Sequence, residues 1–250
     1  MSTHADSKPW TVPALADAKR EGRRLVMLTA YDAMFAGYAS KAGVDILLVG
    51  DSLGMVIQGH TDTLPVTVAD IAYHTACVAR GNVESVILGD MPFGSYQASV
   101  EDAMRAAATL MQAGAHAVKL EGGAPMASTS EFLVNRGGPV VGHIGMTPQS
   151  VHAFGGFRVQ GRSDAAIEQL KLDLAAVTDA GAAMVVLECA GLDEAQAQQS
   201  HHQRQHATEP EPLRQAPDRR KHQQARRTQA GHHPDHNVQR GRPRRWPRRR

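Results

Sequence analysis

Short apolar runs recur along the first 190 residues, and each is followed by a turn and a helix-like stretch. The runs do not alternate with polar residues, which is typical of strands buried on both faces in a parallel sheet. The pattern therefore predicts strands at Leu25–Thr29, Asp45–Val49, Ser85–Leu88, His116–Leu120, Pro139–His143 and Ala183–Leu187.

The segments between these strands are predicted to be helices. Four of them end at a glycine in KAG, ARG, QAG or DAG (Gly43, Gly81, Gly114 and Gly181), which indicates a glycine C-cap at each end. The predicted helices are Ala33–Ala42, Val68–Arg80, Val100–Ala113, Thr129–Asn135 and Asp164–Ala180.

Six consecutive strand–helix units predict an α/β protein, and short strands favour a (β/α)8 TIM barrel over an open doubly wound sheet. No GxGxxG motif follows the first strand, which argues against a dinucleotide-binding fold. A complete barrel has eight strands, but after Gly191 strands 7 and 8 are missing from the pattern. We therefore predict a truncated catalytic barrel at residues 1–192 and a low-complexity basic tail at residues 193–250.

The charge of the chain divides in the same way. From His201 to Arg250, thirteen arginines and one lysine stand against four acidic residues, a net charge of +10, so the first 200 residues carry −8 of the total of +2. The tail has few apolar residues to bury and is predicted to be disordered. It is either a basic nucleic-acid-binding extension or the product of a reading-frame shift. We favour the frame shift, because an extension should follow a completed domain, and we do not expect a nucleic acid partner.

Other features of the chain predict its compartment. Its two cysteines, Cys77 and Cys189, lie far apart without a CxxC motif, which indicates reduced thiols. The N-terminus has no apolar signal segment, and no apolar run is long enough to cross a membrane. We expect a cytoplasmic protein.

Polar residues follow the predicted strands, at the end of a barrel where active sites lie. They are Asp32, Asp51 with Ser52, Asp90, Lys119 with Glu121, His143 and Glu188. Five are carboxylates, and carboxylates crowded around one opening suit Mg²⁺, which prefers oxygen ligands. Lys119 and Glu121 are two residues apart on a strand and so face the same side.

Some of these residues also have an ordinary structural explanation. Asp32 precedes AMFAGYA and fits a helix N-cap. His143 is either a core histidine or one that supports the site from behind. Glu188 follows the apolar run MVVL, so its carboxylate is expected to need a partner or a metal.

Long segments of the chain closely resemble one enzyme family, ketopantoate hydroxymethyltransferase of the phosphoenolpyruvate/pyruvate barrel superfamily. The resemblance runs from about Trp10 to about Cys189, nearly without gaps. Its most specific part is VGDSLGMVIQGHTDTLPVTVADIAYHTACVARG, with further matches in LTAYD, GDMPFGSY, VKLEGG, GHIGMTPQSVHAFGGFRVQGR and VLEC.

The resemblance implies a role for each matching residue. Asp51, Asp90 and Glu121 are expected to bind Mg²⁺, and Asp51 and Asp90 also to contact the substrate. Ser52 is expected to contact the keto acid, Lys119 to hold its carboxylate, and Glu188 to accept a proton. His143 is expected to tune the site from a second layer.

The resemblance also implies the reaction and the partners. The family transfers a hydroxymethyl group from 5,10-methylenetetrahydrofolate to the 2-oxo acid 3-methyl-2-oxobutanoate, giving 2-dehydropantoate for pantothenate biosynthesis, and forms decamers. A C–C lyase of the same superfamily, or an inactive remnant that binds nucleic acid through its tail, are the alternative hypotheses. Because the resemblance ends near Ala190, we expect the 250-residue chain to be poorly soluble or inactive.

Overall fold

The computed structural model describes residues 9–191, which contain one parallel sheet of six strands. The strands follow one another in chain order, β1-β2-β3-β4-β5-β6, so that each crossover advances the sheet by one strand. This confirms the predicted series of strand–helix units, arranged as the larger part of a barrel wall. The strands are β1 (Met27–Thr29), β2 (Ile46–Val49), β3 (Val86–Asp90), β4 (Ala117–Glu121), β5 (Val140–Gly145) and β6 (Met184–Glu188).

Eight α-helices lie in the described residues, and the five that were predicted are all present within two residues of the predicted ends. The sequence pattern missed one helix before β1 and two single-turn helices in the loops after β2 and β5. The helices are α1 (Val12–Arg20), α2 (Ala33–Lys41), α3 (Leu53–Val56), α4 (Val68–Gly81), α5 (Val100–Gln112), α6 (Ala127–Val134), α7 (Val151–Phe154) and α8 (Asp164–Asp179).

Side chains at the N-termini determine where several helices begin. Asp32 Oδ1 accepts a hydrogen bond from the Phe35 amide at 2.7 Å, which confirms its role as an N-cap. Helix α4 begins with a capping box, in which the side chains of Thr67 and Asp70 each accept a hydrogen bond from the other residue's amide. Local polar residues thus fix the starts of α2 and α4.

The glycine at the end of α4 corrects one sequence prediction. Gly43, Gly114 and Gly181 have positive φ, as expected of glycine C-caps. Gly81 does not, and α4 instead ends on Asn82 in extended conformation. A Cβ on Gly81 would lie 1.9 Å from the Ala33 carbonyl oxygen, so this glycine is required by the close approach of α4 to the start of α2.

The core lies on both faces of the central strands and thins toward the edges. Strands β3 and β4 are buried along their whole length, as are all but one residue of β5, as predicted for apolar parallel strands. Within residues 9–191, β1 pairs only with β2 and β6 only with β5, and Met27, Leu28 and Leu187 are exposed there. The predictions for the 193–250 tail lie outside the described residues.

Two further findings bear on the sequence predictions. Cys77 and Cys189 are both free thiols, as expected. Across residues 9–191, no helix combines the length and apolar character needed to cross a membrane.

Candidate active site

The parallel pairing of the strands brings the predicted residues to one edge of the sheet. Asp90 lies beside Lys119, Glu121 lies beside His143, and Glu188 at the end of β6 lies beside Gly145. Asp51 follows β2 in the adjacent loop. Residues far apart in the chain thus meet at the carboxyl ends of five neighbouring strands.

Lys119 lies at the centre of this cluster and is almost fully buried. Its Nζ is 2.8 Å from Asp90 Oδ1, 3.2 Å from His143 Nδ1 and 3.7 Å from Glu121 Oε1. Burial disfavours the charge, but the surrounding carboxylates, Asp90 and Glu121 foremost, raise the pKa of Lys119 above its ordinary value. The ammonium group is therefore a fixed positive charge among acids.

Asp51 and Asp90 form a close pair of buried carboxylates. The Asp51 amide donates to Asp90 Oδ2 at 3.1 Å, and Asp51 Oδ2 accepts from Gln149 Nε2 at 2.9 Å. Burial and the neighbouring charge of Asp90 raise the pKa of Asp51 to about 8. Burial likewise raises the pKa of Asp90, although Lys119 acts against that change. The positive charge of Lys119 therefore does not fully compensate the burial and mutual repulsion of these two carboxylates.

His143 connects the buried cluster to Glu188. Its Nδ1 is 3.3 Å from Glu121 Oε1, and its Nε2 is 3.4 Å from Glu188 Oε2. Burial alone would lower the pKa of His143, but Glu121 and Glu188 raise it. Burial opposes the charge of Glu121, but the hydrogen bond with His143 and the charge of Lys119 lower its pKa. Glu188 thus has a partner in His143, as expected. Its side chain is nevertheless 42% exposed, unlike the other acids of the cluster.

Ser52 lies at the edge of the cluster in a second hydrogen-bonded group. Its Oγ is 2.9 Å from the Tyr31 hydroxyl, and the Tyr31 carbonyl is 2.7 Å from His74 Nδ1. Burial raises the pKa of Tyr31, so the phenol stays protonated. Ser52 thus presents a hydroxyl beside the acid pair.

Two buried residues that the sequence reasoning missed connect the loops of the site. Gln149 donates from its side chain to Asp51 Oδ2 and from its backbone amide to Glu121 Oε2. Tyr96 donates to Gln149 Oε1 at 2.7 Å and accepts from the Glu121 amide at 3.0 Å. Both residues lie in quoted motifs, GDMPFGSY and GHIGMTPQS, so a polar residue inside such a motif was the available signal.

The carboxylates of the site have the ligand chemistry that Mg²⁺ prefers. Within the described residues, no three His, Cys, Asp or Glu side chains lie close enough together to hold a metal by themselves. Mg²⁺ is usually held by one or two carboxylates together with waters and substrate oxygens, so a closed cage is not required. Asp90 Oδ1 and Glu121 Oε1 are buried and face Lys119 at 2.8 and 3.7 Å, and Asp51 lies in a neighbourhood rich in negative charge. The donor set fits a hard divalent cation.

Comparison with known proteins identifies relatives along most of the chain. Residues 9–202 match the family described as ketopantoate hydroxymethyltransferase. A 3-methyl-2-oxobutanoate hydroxymethyltransferase of Azoarcus sp. (strain BH72) is 59% identical over 188 residues, 75% of this chain and 69% of that protein. The enzyme of the same name from Xanthomonas euvesicatoria pv. vesicatoria (strain 85-10) is 59% identical over 189 residues, 76% of this chain and 69% of that protein.

Solved structures with the same fold are more distant in sequence. A 2,3-dimethylmalate lyase of the PEP mutase/isocitrate lyase superfamily superposes with a TM-score of 0.51 at 17% identity, over 71% of this chain and 61% of that one. A phosphonopyruvate hydrolase superposes with a TM-score of 0.55 at 14% identity, over 72% of this chain and 63% of that one. The chain therefore spans less than two thirds of these structures, and the likeness is one of fold.

Proposed function

Because this chain belongs to the ketopantoate hydroxymethyltransferase family, we propose that it transfers a hydroxymethyl group from 5,10-methylenetetrahydrofolate to 3-methyl-2-oxobutanoate, giving 2-dehydropantoate. The observation that carries this proposal is the buried Lys119 ammonium surrounded by Asp51, Asp90 and Glu121 at the strand ends. That arrangement suits a small 2-oxo acid bound through both its carboxylate and its keto oxygen.

In this proposal the positive and hydroxyl groups hold the substrate carboxylate. Lys119 is fixed by Asp90 on one side and His143 on the other, so its charge is already oriented before substrate binds. Ser52 offers a hydroxyl from the neighbouring loop. Preorganised donors of this kind bind a carboxylate without the cost of reorienting them.

Mg²⁺ would be held by Asp51 and Asp90, with Glu121 completing the set. When bound, the ion supplies Lewis-acid polarisation of the keto oxygen, which acidifies the adjacent C3 proton. Lys119 then offsets part of the remaining negative charge of the three acids.

Glu188 is proposed as the base that removes the C3 proton. It differs from the other acids of the site in being partly exposed, so its carboxylate can be reached by a substrate. His143 holds it from behind through Nε2, while the other ring nitrogen faces Glu121 and Lys119. His143 therefore orients the base and does not itself take the proton.

Two broader proposals concern assembly and compartment. We propose that the chain works as a homo-oligomer, a decamer by the family resemblance, and, from its two free thiols, that it acts in the cytoplasm. Size measurement in solution by light scattering tests the first, and fractionation of cells that produce the chain tests the second.

The reaction itself is tested by product formation. The purified chain is incubated with 3-methyl-2-oxobutanoate and 5,10-methylenetetrahydrofolate, with Mg²⁺ or with a chelator, and 2-dehydropantoate is quantified. The sequence predicts little activity for the 250-residue chain, so we expect the amount of product to be small, to depend on folate and on Mg²⁺, and to be lost in Asp90→Asn. A matched control is Asp164→Asn, which changes an exposed acid in the first turn of α8. Product that forms equally in Asp90→Asn would contradict the proposed site.

A further inference from the structure

Gln149 is the residue of the site with the most bonds across separate loops. It lies in the 3-10 turn Pro148–Ser150 after β5 and is buried. Its side-chain amide group, Nε2, donates to Asp51 Oδ2 and to the Met91 carbonyl, both at 2.9 Å. Its Oε1 accepts from the Tyr96 hydroxyl at 2.7 Å and from Gln97 Nε2 at 3.2 Å. Both protons of Nε2 and both lone pairs of Oε1 are therefore engaged by the surrounding protein.

The partners of Gln149 allow only one orientation of its amide. Asp51 Oδ2 and the Met91 carbonyl are acceptors, so Nε2 must face them. The Tyr96 hydroxyl accepts from the Glu121 amide and is then placed to donate to Oε1 at 2.7 Å, with the Glu121 carbonyl at 3.1 Å as a second acceptor. Turning the amide by 180° would direct Oε1 at a carboxylate and a carbonyl. The donor is therefore held against Asp51 by bonds made at the other end of the same side chain.

This orientation matters because Asp51 has few other constraints. Within residues 9–191, Gln149 is the only side chain that donates a hydrogen bond to the Asp51 carboxylate. The other carboxylate oxygen of Asp51, Oδ1, accepts no hydrogen bond from residues 9–191 and can face a ligand. At the same time, the Gln149 backbone amide donates to Glu121 Oε2 at 3.0 Å, which leaves Oε1 of Glu121 on the side of Lys119.

We propose that Gln149 is a positioning residue that holds Asp51 and Glu121, carboxylates from two non-adjacent strands, in the geometry that receives the divalent cation. It contacts neither substrate nor cation and acts through the acids. This inference rests on the Mg²⁺-dependent function proposed above, and it concerns a residue to which neither the motifs nor the relatives' names assign a role. Outer partners that orient metal-ligating carboxylates typically contribute a factor of about 10 to 100 in metal affinity or activity.

The side chain and the backbone of Gln149 can be separated by substitution. Gln149→Met keeps the length and the backbone bond to Glu121 but removes the donor to Asp51. Gln149→Glu keeps the shape and an acceptor for Tyr96 but also removes that donor. Tyr96→Phe leaves the Gln149 donor in place but removes the bond that supports Gln149 Oε1, together with the acceptor of the Glu121 amide. The matched control is Gln169→Met, which breaks an exposed Gln–Asp bond of 3.3 Å to Asp173 on α8.

The experiment measures Mg²⁺ affinity of the full 250-residue chain by titration calorimetry, next to thermal unfolding and product formation. We expect Gln149→Met and Gln149→Glu to weaken Mg²⁺ binding by about 10- to 100-fold, Tyr96→Phe to weaken it less, and Gln169→Met to leave it unchanged. In the product assay, the Mg²⁺ concentration that gives half of the maximal rate should rise by the same factor. The rate at saturating Mg²⁺ should change less.

The outcomes distinguish this inference from the proposed function. Unchanged Mg²⁺ affinity in both Gln149 variants, or no Mg²⁺ binding by the parent chain, overturns the positioning role. A purely structural role would lower the unfolding temperature of the variants without changing Mg²⁺ affinity, which also overturns it. Weaker Mg²⁺ binding in the variants supports it even if the parent chain forms no 2-dehydropantoate, a result that would reject only the proposed reaction.

Discussion

Glu188 differs from the other acids of the site in its exposure, and this difference leads to a prediction about its chemistry. The buried acids are surrounded by Lys119, Gln149 and each other. Within residues 9–191, the Glu188 side chain is partly exposed and its ion-pair partner is His143. We expect Glu188→Gln to slow solvent exchange of the C3 proton of 3-methyl-2-oxobutanoate by about 10²- to 10⁴-fold, the usual contribution of a general base. Exchange followed by NMR in D2O measures this step without folate.

The same substitution should leave the fold intact, because the side chain is partly exposed and the glutamine oxygen can still accept a hydrogen bond from His143 Nε2. Glu168→Gln, at an exposed ion pair with Lys171, is the matched control and should leave exchange unchanged. Exchange in Glu188→Gln within tenfold of the parent rate would assign the proton transfer to another group.

The residues of the site were predictable from sequence to different degrees. Asp90, Lys119 and Glu121 end predicted strands, so the rule that active sites lie at strand carboxyl ends was sufficient to select them. Gln149 was not predictable in this way, because its importance depends on a contact with Asp51, 98 residues away in the chain. The local sequence around a glutamine beside a proline in a turn does not show whether its side chain is buried between two loops or exposed to solvent.

Helix α4 provides a test of how much its N-terminal turn contributes to stability. Thr67 and Asp70 form a reciprocal capping box at its start. We expect Thr67→Ala to lower the free energy of unfolding by about 1 kcal/mol, the usual cost of losing an N-cap. Urea denaturation at neutral pH measures the change, and Thr61→Ala in the preceding exposed loop is the control.

The contribution of this capping box should depend on pH. Hydrogen bonds from Thr67 lower the pKa of Asp70 below its ordinary value of 3.8. A lowered pKa in the folded state means stability that is present above the unfolded-state value and lost as the pH falls through the folded-state value. The difference in the free energy of unfolding between the parent and Thr67→Ala should therefore be constant near neutral pH and become smaller below about pH 4. A difference that grows on acidification would contradict this account.

The other end of α4 tests the reason for a glycine. Helix propensity alone favours Gly81→Ala by about 1 kcal/mol. The added Cβ, however, would meet backbone atoms of Ala33 at 1.9 to 2.6 Å, and a backbone cannot move aside as a flexible side chain can. We expect a net loss of about 1 to 3 kcal/mol, typical of overpacking. Arg80→Ala, one residue earlier and exposed, should stay within about 0.5 kcal/mol of the parent. An increase in the free energy of unfolding in Gly81→Ala would show that α4 and α2 can move apart at little cost, which would contradict this account.

At the level of elements, sequence pattern was most reliable where burial is complete. The central strands β2 to β5 are buried and β-branched or leucine-rich, so their positions followed from composition within two residues. Helices α3 and α7 have only four residues each, too short for a helical period to appear. Helix α1 lies before the first strand, where no repeating unit indicated it.

The two edges of the sheet bear on the behaviour of the whole molecule. Within residues 9–191, β1 and β6 each have one paired side, and Val26, Met27, Leu28 and Leu187 are exposed there. An unpaired strand with exposed apolar side chains is a site for association with other chains. The Azoarcus relative, of which this chain matches 69%, offers a natural segment to test whether such edges limit solubility.

We expect a chimera in which the C-terminal segment of that relative replaces residues 192–250 to be more soluble than the 250-residue chain. Additional strands on β6 and β1 would remove the unpaired edges, since closure of a barrel leaves none. Soluble yield and light scattering at equal concentration measure the effect, and a chain ending at residue 191 is the control for removal of the tail alone. Both the chimera and the parent contain the same residues from Asp51 to Glu188, so a gain in product formation would come from the fold around the site. A parent chain that stays monodisperse and matches the chimera in activity would show that its edges are already protected.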